Sequence, residues 1–255
     1  GQHFGFFARG THRVVDTESC VLCHAHLNGA LAALRPLGLK GSVTVTVDPE
    51  GDAQLVWTKF TKRTLKQAFP QANTPQDTGA RSAFLFDGVP VVNGCFSQPS
   101  LLLNRLLCDE VRAQAGQPAT VLDCYAGSGN LSLGLAGAGA RVRGYDHNPV
   151  AAAAAAAHSG QDYRAGDETD MAAALREQPW DLVLLDPPRT GAKHLAQDLA
   201  HAEAGALVYV SCDPATLARD LKTLCAAGWQ VDRATAIDLF PHTPHVETVC
   251  RLTPR

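Results

Sequence analysis

Short apolar runs alternate with amphipathic stretches from residue 99 to the end of the chain. The apolar runs predict buried strands, and the amphipathic stretches predict helices that pack against them. Strands are predicted at residues 120–123, 140–145, 163–165, 181–185, 207–210, 229–237 and 247–252. Helices are predicted at residues 100–114, 131–136, 149–158, 171–177, 192–201 and 214–226. Alternation of strands and helices indicates an α/β fold with a parallel, doubly wound sheet.

The N-terminal part of the chain has a different pattern, with short strand-like runs separated by turn residues. Strands are predicted there at residues 42–47, 55–57, 83–86 and 89–92, a helix at 23–34 and a loop at 71–79. Asp87 and Gly88 separate the last two strands and predict a hairpin turn. We therefore expect two domains, a smaller α+β region at residues 1–95 and the doubly wound domain at residues 96–255.

Composition narrows the class of protein. The chain has 255 residues, 45% of them hydrophobic, and no apolar run long enough to cross a membrane, so we expect a cytoplasmic protein without a leader. Its 8 cysteines follow no disulfide pattern, which suits a reducing compartment. The net charge of -3 argues against a general RNA binder but allows an enzyme with a local basic patch. Candidates for such a patch are Lys59, Lys62, Arg63 and Lys66.

Candidate catalytic groups lie at predicted strand ends. Asp186 and Cys212 each follow an apolar run, and Glu247 stands just ahead of the last strand. These residues should share the sheet edge where open α/β folds bind ligands. A cysteine with a separate carboxylate suggests covalent catalysis, with the thiolate as nucleophile and the carboxylate as base.

A glycine-rich turn at residues 123–130 predicts a nucleoside cofactor. It follows a strand and opens a helix, and Asp146 ends the next strand, where a carboxylate can accept hydrogen bonds from ribose hydroxyls. A nicotinamide fingerprint would require a glycine or an alanine where Ser132 stands. Asp123, just before the glycines, suits a cationic ligand such as an amino group, and Asp167 can reach the adenine. S-adenosylmethionine therefore fits better than a dinucleotide.

These segments resemble the RNA uracil-5-methyltransferase family. The resemblance is carried by residues 123–130, 186–189, 209–220 and 238–249, and it runs from about Gly5 to the C-terminus. It implies a Rossmann-like methyltransferase sheet and an S-adenosylmethionine-dependent RNA (uracil-C5)-methyltransferase. In this family a thiolate adds to C6 of uracil, C5 then takes the methyl group, and a base removes the C5 proton.

The resemblance also implies roles for individual residues. Cys212 corresponds to the nucleophile and Glu247 to the base, and Asp186 also holds the uracil edge. The positions that match cofactor contacts are Gln98, Tyr125, Asn130, Asp146 and Asp186, joined by Asp167. The implied partner is an RNA. We favour 23S rRNA because the N-terminal segment is more similar to the ribosomal members, transfer RNA remains open, and a monomer is the default.

Other functions stay as alternatives. An RNA cytosine-C5 methyltransferase also uses cysteine, but it would place Pro-Cys after the fourth strand, where this chain has Pro187-Pro188. An amino-group methyltransferase would place an aromatic residue where Arg189 stands. A non-catalytic RNA-binding protein with the same fold and a nicotinamide oxidoreductase complete the set.

Many members of the family carry an N-terminal RNA-binding barrel and a four-cysteine iron–sulfur site. Cys20 corresponds to the fourth of these cysteines, and the other three would lie ahead of Gly1, so we expect no cluster in this chain. The chain is then either a fragment or a naturally short member. Cys20 and Cys23 form only half of a metal site, and no metal is expected.

Overall fold

The computed structural model describes residues 3–8, 10–59, 63–77, 80–243 and 245–255. The chain divides into two compact units. The N-terminal unit comprises Gly1–Phe84 and Val91–Gly94, and the C-terminal unit comprises Leu85–Pro90 and Cys95–Arg255. Of the suggested basic patch, Lys62 lies outside the described residues, as do residues 78 and 79 of the predicted loop.

The first part of the chain forms short strands and two helices. They are β1 (Gly5–Phe7), β2 (Val14–Asp16), α1 (Ala25–Leu34), β3 (Val43–Val47), β4 (Gln54–Thr58), α2 (Arg63–Ala68), β5 (Ala83–Phe86) and β6 (Val89–Val92). The strands pair as β1–β2, β3–β4 and β5–β6. The sequence prediction missed β1, β2 and α2, because elements this short contain too few residues to show a hydrophobic period.

Helix α1 begins later than predicted, at Ala25 rather than Cys23. A turn closes ahead of it, where the Cys23 amide donates to the Cys20 carbonyl at 3.2 Å. Asn28 holds this turn, accepting from the Cys20 amide at 2.8 Å and donating to the Cys20 carbonyl at 3.0 Å. Across the part of the chain that the structure describes, no three histidine, cysteine or acidic side chains converge as a metal site would require.

The C-terminal unit contains the larger sheet. Its strands are β7 (Thr120–Cys124), β8 (Arg141–Asp146), β9 (Asp162–Ala165), β10 (Trp180–Leu185), β11 (Ala204–Ser211), β12 (Trp229–Ile237) and β13 (Glu247–Pro254). Its helices are α3 (Leu101–Ala115), α4 (Leu133–Gly137), α5 (Pro149–Ser159), α6 (Glu168–Glu177), α7 (Leu195–Leu199) and α8 (Pro214–Ala226). None of the helices in the described ranges is long and apolar enough to cross a membrane.

The sheet has the order β12-β13-β11-β10-β7-β8-β9. The five strands β7 to β11 run parallel to one another, whereas β13 runs antiparallel to both β11 and β12. The predicted α/β, doubly wound class is confirmed, but the sheet is mixed rather than wholly parallel. No helix separates β12 from β13, and without a crossover the chain must return antiparallel.

Helices cover both faces of the sheet. On one face α3, α4 and α5 pack against the strands through Leu107, Leu135 and Ala152. On the other face α6, α7 and α8 contribute Met171, Leu195 and Leu217, among others. The alanine-rich α5 buries small side chains, so its backbone lies close to the sheet. The strand ends between these layers are thereby held rigidly, which positions the candidate site.

Candidate active site

The carboxyl ends of three neighbouring strands place the candidate side chains together. Leu185, the last residue of β10, pairs with Cys124 of β7 and with Tyr209 of β11. The next residue along β10 is Asp186, whose amide lies 3.4 Å from the Cys124 carbonyl. Cys212 directly follows β11. The structure therefore brings Asp186 and Cys212 to one edge, beside the glycine-rich turn after β7.

The antiparallel pairing of β13 with β11 adds Glu247. Ser211 pairs with Thr248 in this ladder. One step further along the same register, Cys212 falls opposite Glu247, the first residue of β13. The two proposed reacting groups thus come from strands that are distant in the chain but adjacent in the sheet. Cross-strand neighbours of this kind have side chains within contact range of each other.

Glu247 has the environment of a carboxylate held ready for proton transfer. It is only 2% exposed, and burial raises its pKa to about 7. Among the residues that the structure describes, none donates a hydrogen bond or forms an ion pair with its carboxylate. A base with a pKa near neutrality and free oxygens can both accept and release a proton.

Carboxyl groups cluster around Asp186. Burial raises the pKa of Asp186 well above its usual value, and the carboxylates of Glu247, Asp123 and Asp146 raise it further. Burial also raises the pKa of the Cys212 thiol, as does the charge of Glu247. Arg189 acts in the opposite sense and favours the thiolate. A cluster of carboxylates with raised pKa values is a feature of functional sites and is complementary to a cationic ligand.

The turn after β7 requires left-handed backbone at several positions. Gly127 has φ 55° and Gly129 has φ 84°, and Tyr125 adopts φ 63° although it is not a glycine. A side chain at Gly129 would place its Cβ 2.7 Å from the Cγ atom of Leu133. Strain of this kind at a strand end is typical of ligand sites, because it exposes backbone amides to the ligand.

Asp146 connects this turn to the end of β8. Its Oδ2 accepts from the Gly127 amide at 2.8 Å, and its Oδ1 accepts from the Asn148 amide at 2.7 Å. Each oxygen keeps a lone pair, so the carboxylate can still accept hydrogen bonds from a ribose. The backbone bonds fix the orientation that such recognition needs.

Asp123 lies in β7, just ahead of the turn. It is 1% exposed and accepts a hydrogen bond from the Ser132 hydroxyl, and burial raises its pKa to about 7. Ser132 in turn lies 2.7 Å from the Tyr163 hydroxyl. Sequence reasoning used Ser132 only to argue against a nicotinamide cofactor and missed its contact with Asp123. The serine at the third glycine position was the available signal.

The other predicted cofactor residues have distinct surroundings. Gln98 is 8% exposed, and its Oε1 has no hydrogen-bond partner among the described residues. Asn130 exchanges two amide hydrogen bonds with Asn104, at 2.7 and 3.0 Å. The Tyr125 hydroxyl donates to Glu168 at 2.8 Å.

Asp167 forms the N-cap of α6. Its Oδ1 accepts from the Thr169 and Asp170 amides, and a reciprocal bond from its own amide to Asp170 completes a capping box. These bonds lower the pKa of the Asp167 carboxyl. They give the residue a structural task at the helix start, and its contact with an adenine stays a prediction.

The fold is that of the Rossmann-like methyltransferases. The solved structure of Pyrococcus abyssi tRNA (uracil-54, C5)-methyltransferase with S-adenosyl-L-homocysteine has a TM-score of 0.73 and 24% identity, covering 94% of this chain and 70% of that chain. A putative SAM-dependent methyltransferase from Streptococcus mutans has a TM-score of 0.54 and 13% identity, covering 78% and 68%. At these identities both likenesses show the fold alone.

Sequence comparison supports the resemblance to RNA uracil-5-methyltransferases. Residues 170–255 match the family model of tRNA (Uracil-5-)-methyltransferase. The chain is 29% identical to 23S rRNA (uracil(1939)-C(5))-methyltransferase RlmD of Chromohalobacter salexigens, over 98% of this chain and 61% of that protein. It is 38% identical to RlmD of Psychrobacter arcticus, over 61% of this chain and 33% of that protein. The resemblance to the RNA uracil-5-methyltransferase family is confirmed, and the chain spans less than two thirds of the length of these relatives.

Replacing Glu247 with glutamine is expected to stabilise the fold at neutral and alkaline pH. The carboxyl titrates near 4.5 when unfolded and near 7 in the fold. Between these values the folded state keeps a proton that the unfolded state releases, so the free energy of unfolding falls as the pH rises. Glutamine removes this cost, which is roughly 3 kcal/mol well above pH 7 and close to zero at about pH 4. Urea unfolding at both pH values measures it.

The control for this experiment is Glu203→Gln, which changes an exposed carboxylate in the same unit. Its effect on the free energy of unfolding should be small and the same at both pH values. A Glu247→Gln variant that is no more stable than the wild type at about pH 8 would show that burial of the charged carboxylate does not destabilise the fold.

Proposed function

We propose that this protein transfers a methyl group from S-adenosylmethionine to C5 of a uridine in RNA, with 23S rRNA as the favoured substrate, through a covalent bond between Cys212 and C6. The observation that carries the proposal is the juxtaposition of Cys212 and Glu247 across the β11–β13 ladder, beside the glycine-rich turn. A nucleophile and a free carboxylate on one sheet edge match the two groups that this chemistry needs.

Residues of this chain account for the proton transfer and the bond changes on the uracil ring. The Cys212 thiolate adds to C6, which makes C5 nucleophilic. S-adenosylmethionine, when bound, supplies the electrophilic methyl group. Glu247 then accepts the C5 proton, and the bond between Cys212 and C6 breaks as the double bond re-forms. Cysteine suits both addition and departure, and a carboxylate with a pKa of about 7 suits the proton removal.

The residues of the site fit the cofactor. Asp146 is oriented by two backbone amides and retains acceptor capacity for ribose hydroxyls. The Oε1 atom of Gln98 is buried and lacks a partner among the described residues, which is costly unless a ligand supplies a donor. The carboxylates around Asp186 complement the positive charge of a sulfonium ion.

The proposed RNA substrate is inferred from the names of the relatives. Those from Chromohalobacter salexigens and Psychrobacter arcticus are named for 23S rRNA, which supports a ribosomal substrate. The Pyrococcus abyssi structure, a transfer RNA enzyme, keeps the tRNA alternative open. We also propose that residues 1–95 form the RNA-facing region, that residues 96–255 perform the chemistry, and that the protein acts as a cytoplasmic monomer.

A tritiated methyl-transfer assay tests this proposal. Bulk RNA lacking the modification is incubated with the protein and labelled S-adenosylmethionine, and the nucleosides and RNA sizes are then separated. Label in 5-methyluridine of large ribosomal RNA is expected. Label in transfer RNA would favour the alternative substrate, and label in 5-methylcytidine would indicate a cytosine methyltransferase. Cofactor binding without label in any RNA would favour a non-catalytic RNA-binding protein.

A further inference from the structure

Asp220 of α8 is a buried carboxylate that the proposed chemistry does not use. It is 1% exposed. Its Oδ2 accepts from the Tyr209 hydroxyl at 2.8 Å and from the Ala192 amide at 2.8 Å, and its Oδ1 accepts from Arg219 at 2.8 Å. A buried charge with this many partners is costly to assemble, so it is a candidate for a specific task.

The partners of Asp220 hold the loop that follows Asp186. Besides the bond from the Ala192 amide, Arg219 donates to the Thr190 carbonyl at 2.9 Å. Thr216, one turn earlier on α8, donates to the Arg189 carbonyl at 3.2 Å. Residues 189, 190 and 192 are therefore each hydrogen-bonded to α8 through their backbone.

Gly191 shows how closely this loop approaches the helix. It has φ 71°, and a Cβ built on it would lie 2.6 Å from both Nη2 of Arg219 and Oδ2 of Asp220. A larger residue at position 191 would collide with these two side chains. The loop lies directly against α8, and Asp220 is at the centre of that contact.

The loop carries Arg189, and α8 starts next to Cys212. Asp213 caps the helix, accepting from the Ala215 and Thr216 amides at 3.0 Å each. The charges that act on Cys212 come from Glu247, Asp186 and Arg189, and Arg189 is the one of these three that favours the thiolate. Any displacement of the loop would move this cation relative to the thiol.

We propose that Asp220 is a positioning residue, which holds the 189–192 loop on α8 and so keeps Arg189 next to the start of that helix, where Cys212 lies. This inference rests on the proposed function only for its biological purpose, because the reactivity of the thiol can be measured without RNA or cofactor. Asp220 itself touches neither the thiol nor the reacting base.

The test is the rate at which iodoacetamide alkylates Cys212 in the full chain, followed by mass spectrometry of its peptide across a pH series. Arg189→Gln is expected to shift the profile to higher pH, so that alkylation below the midpoint becomes roughly threefold slower. Asp220→Asn should produce the same shift. The double variant Arg189→Gln/Asp220→Asn should be alkylated no more slowly than Arg189→Gln alone, because both substitutions remove the same effect of Arg189 on the thiol.

Two controls separate positioning from stability and from general charge effects. Asp109→Asn breaks an exposed ion pair with Arg112 on α3, and Lys193→Gln removes an exposed cation beyond the loop. Neither should shift the alkylation profile. A wild-type profile in Asp220→Asn, even with a lowered melting temperature, would overturn the proposal, and so would an equal shift in Lys193→Gln.

Gly191→Ala tests the same contact if Asp220→Asn does not fold. The added methyl pushes the loop away from α8 while Asp220 and Arg189 are retained, so an upward shift of the alkylation profile is again expected. An unchanged profile would contradict the inference. If the wild-type protein transferred no methyl group but the variants shifted the alkylation profile as expected, the proposed function would be wrong and this inference would stand.

Discussion

Cys212→Ala is expected to abolish methyl transfer while S-adenosylmethionine binding survives. Without the thiolate, C5 of uracil is too weak a nucleophile, and the loss should be on the order of 10⁴-fold or more. Binding should survive because Asp146 and the glycine-rich turn are held by β7 and β8, independently of Cys212. Single-turnover methyl transfer and calorimetric titration of the cofactor measure the two effects separately.

The matched control is Cys225→Ala, which changes a half-buried cysteine near the C-terminal end of α8. It should keep both activity and cofactor affinity within about twofold, because surface-facing helix substitutions to alanine change little. Turnover by Cys212→Ala at the wild-type rate would exclude the covalent mechanism. Simultaneous loss of cofactor binding would instead place the thiol in the cofactor site.

Glu247→Gln is expected to trap a methylated RNA covalently on the protein. Cys212 can still add to C6 and the methyl group can still be transferred, but glutamine cannot accept the C5 proton that must leave before elimination. The adduct should survive denaturing electrophoresis and carry label from the methyl group. Catalytic turnover should fall by about 10²- to 10⁴-fold, the usual contribution of a general base.

The double variant Cys212→Ala/Glu247→Gln should form no adduct, which shows that the trapped bond is made by Cys212. Glu203→Gln should turn over normally and leave no adduct, because its carboxylate is exposed and apart from the site. If Glu247→Gln released methylated RNA at the wild-type rate, the base would have to be another group. The pH at which wild-type turnover falls on acidification should then also depart from the value of about 7 that burial gives Glu247.

Burial of Glu247 affects both the stability of the fold and the proposed chemistry. Burial that raises the pKa of Glu247 to about 7 also makes its charged form unfavourable in the fold. The same variant, Glu247→Gln, is therefore expected to be more stable and less active. Opposite effects of one substitution on stability and turnover are typical of active-site residues.

Much of the C-terminal unit is predictable from the sequence, because its elements are long enough to show a hydrophobic period. The strand that ends at Cys124 and the helix that starts at Pro214 each lie within a residue or two of their predicted positions. Shorter elements were not predictable in this way. Helix α7 is limited to Leu195–Leu199, where a longer helix was expected, since the loop ahead of it is held on α8.

The sequence by itself determined that Asp186, Cys212 and Glu247 stand at strand ends, since each borders an apolar run. Only the tertiary structure decided that Cys212 lies opposite Glu247, because this depends on the antiparallel register of β13 against β11. The same holds for Asp220, whose partners come from a strand, a loop and its own helix. Local patterns record which residues are buried, whereas pairing between distant segments is set by register and packing.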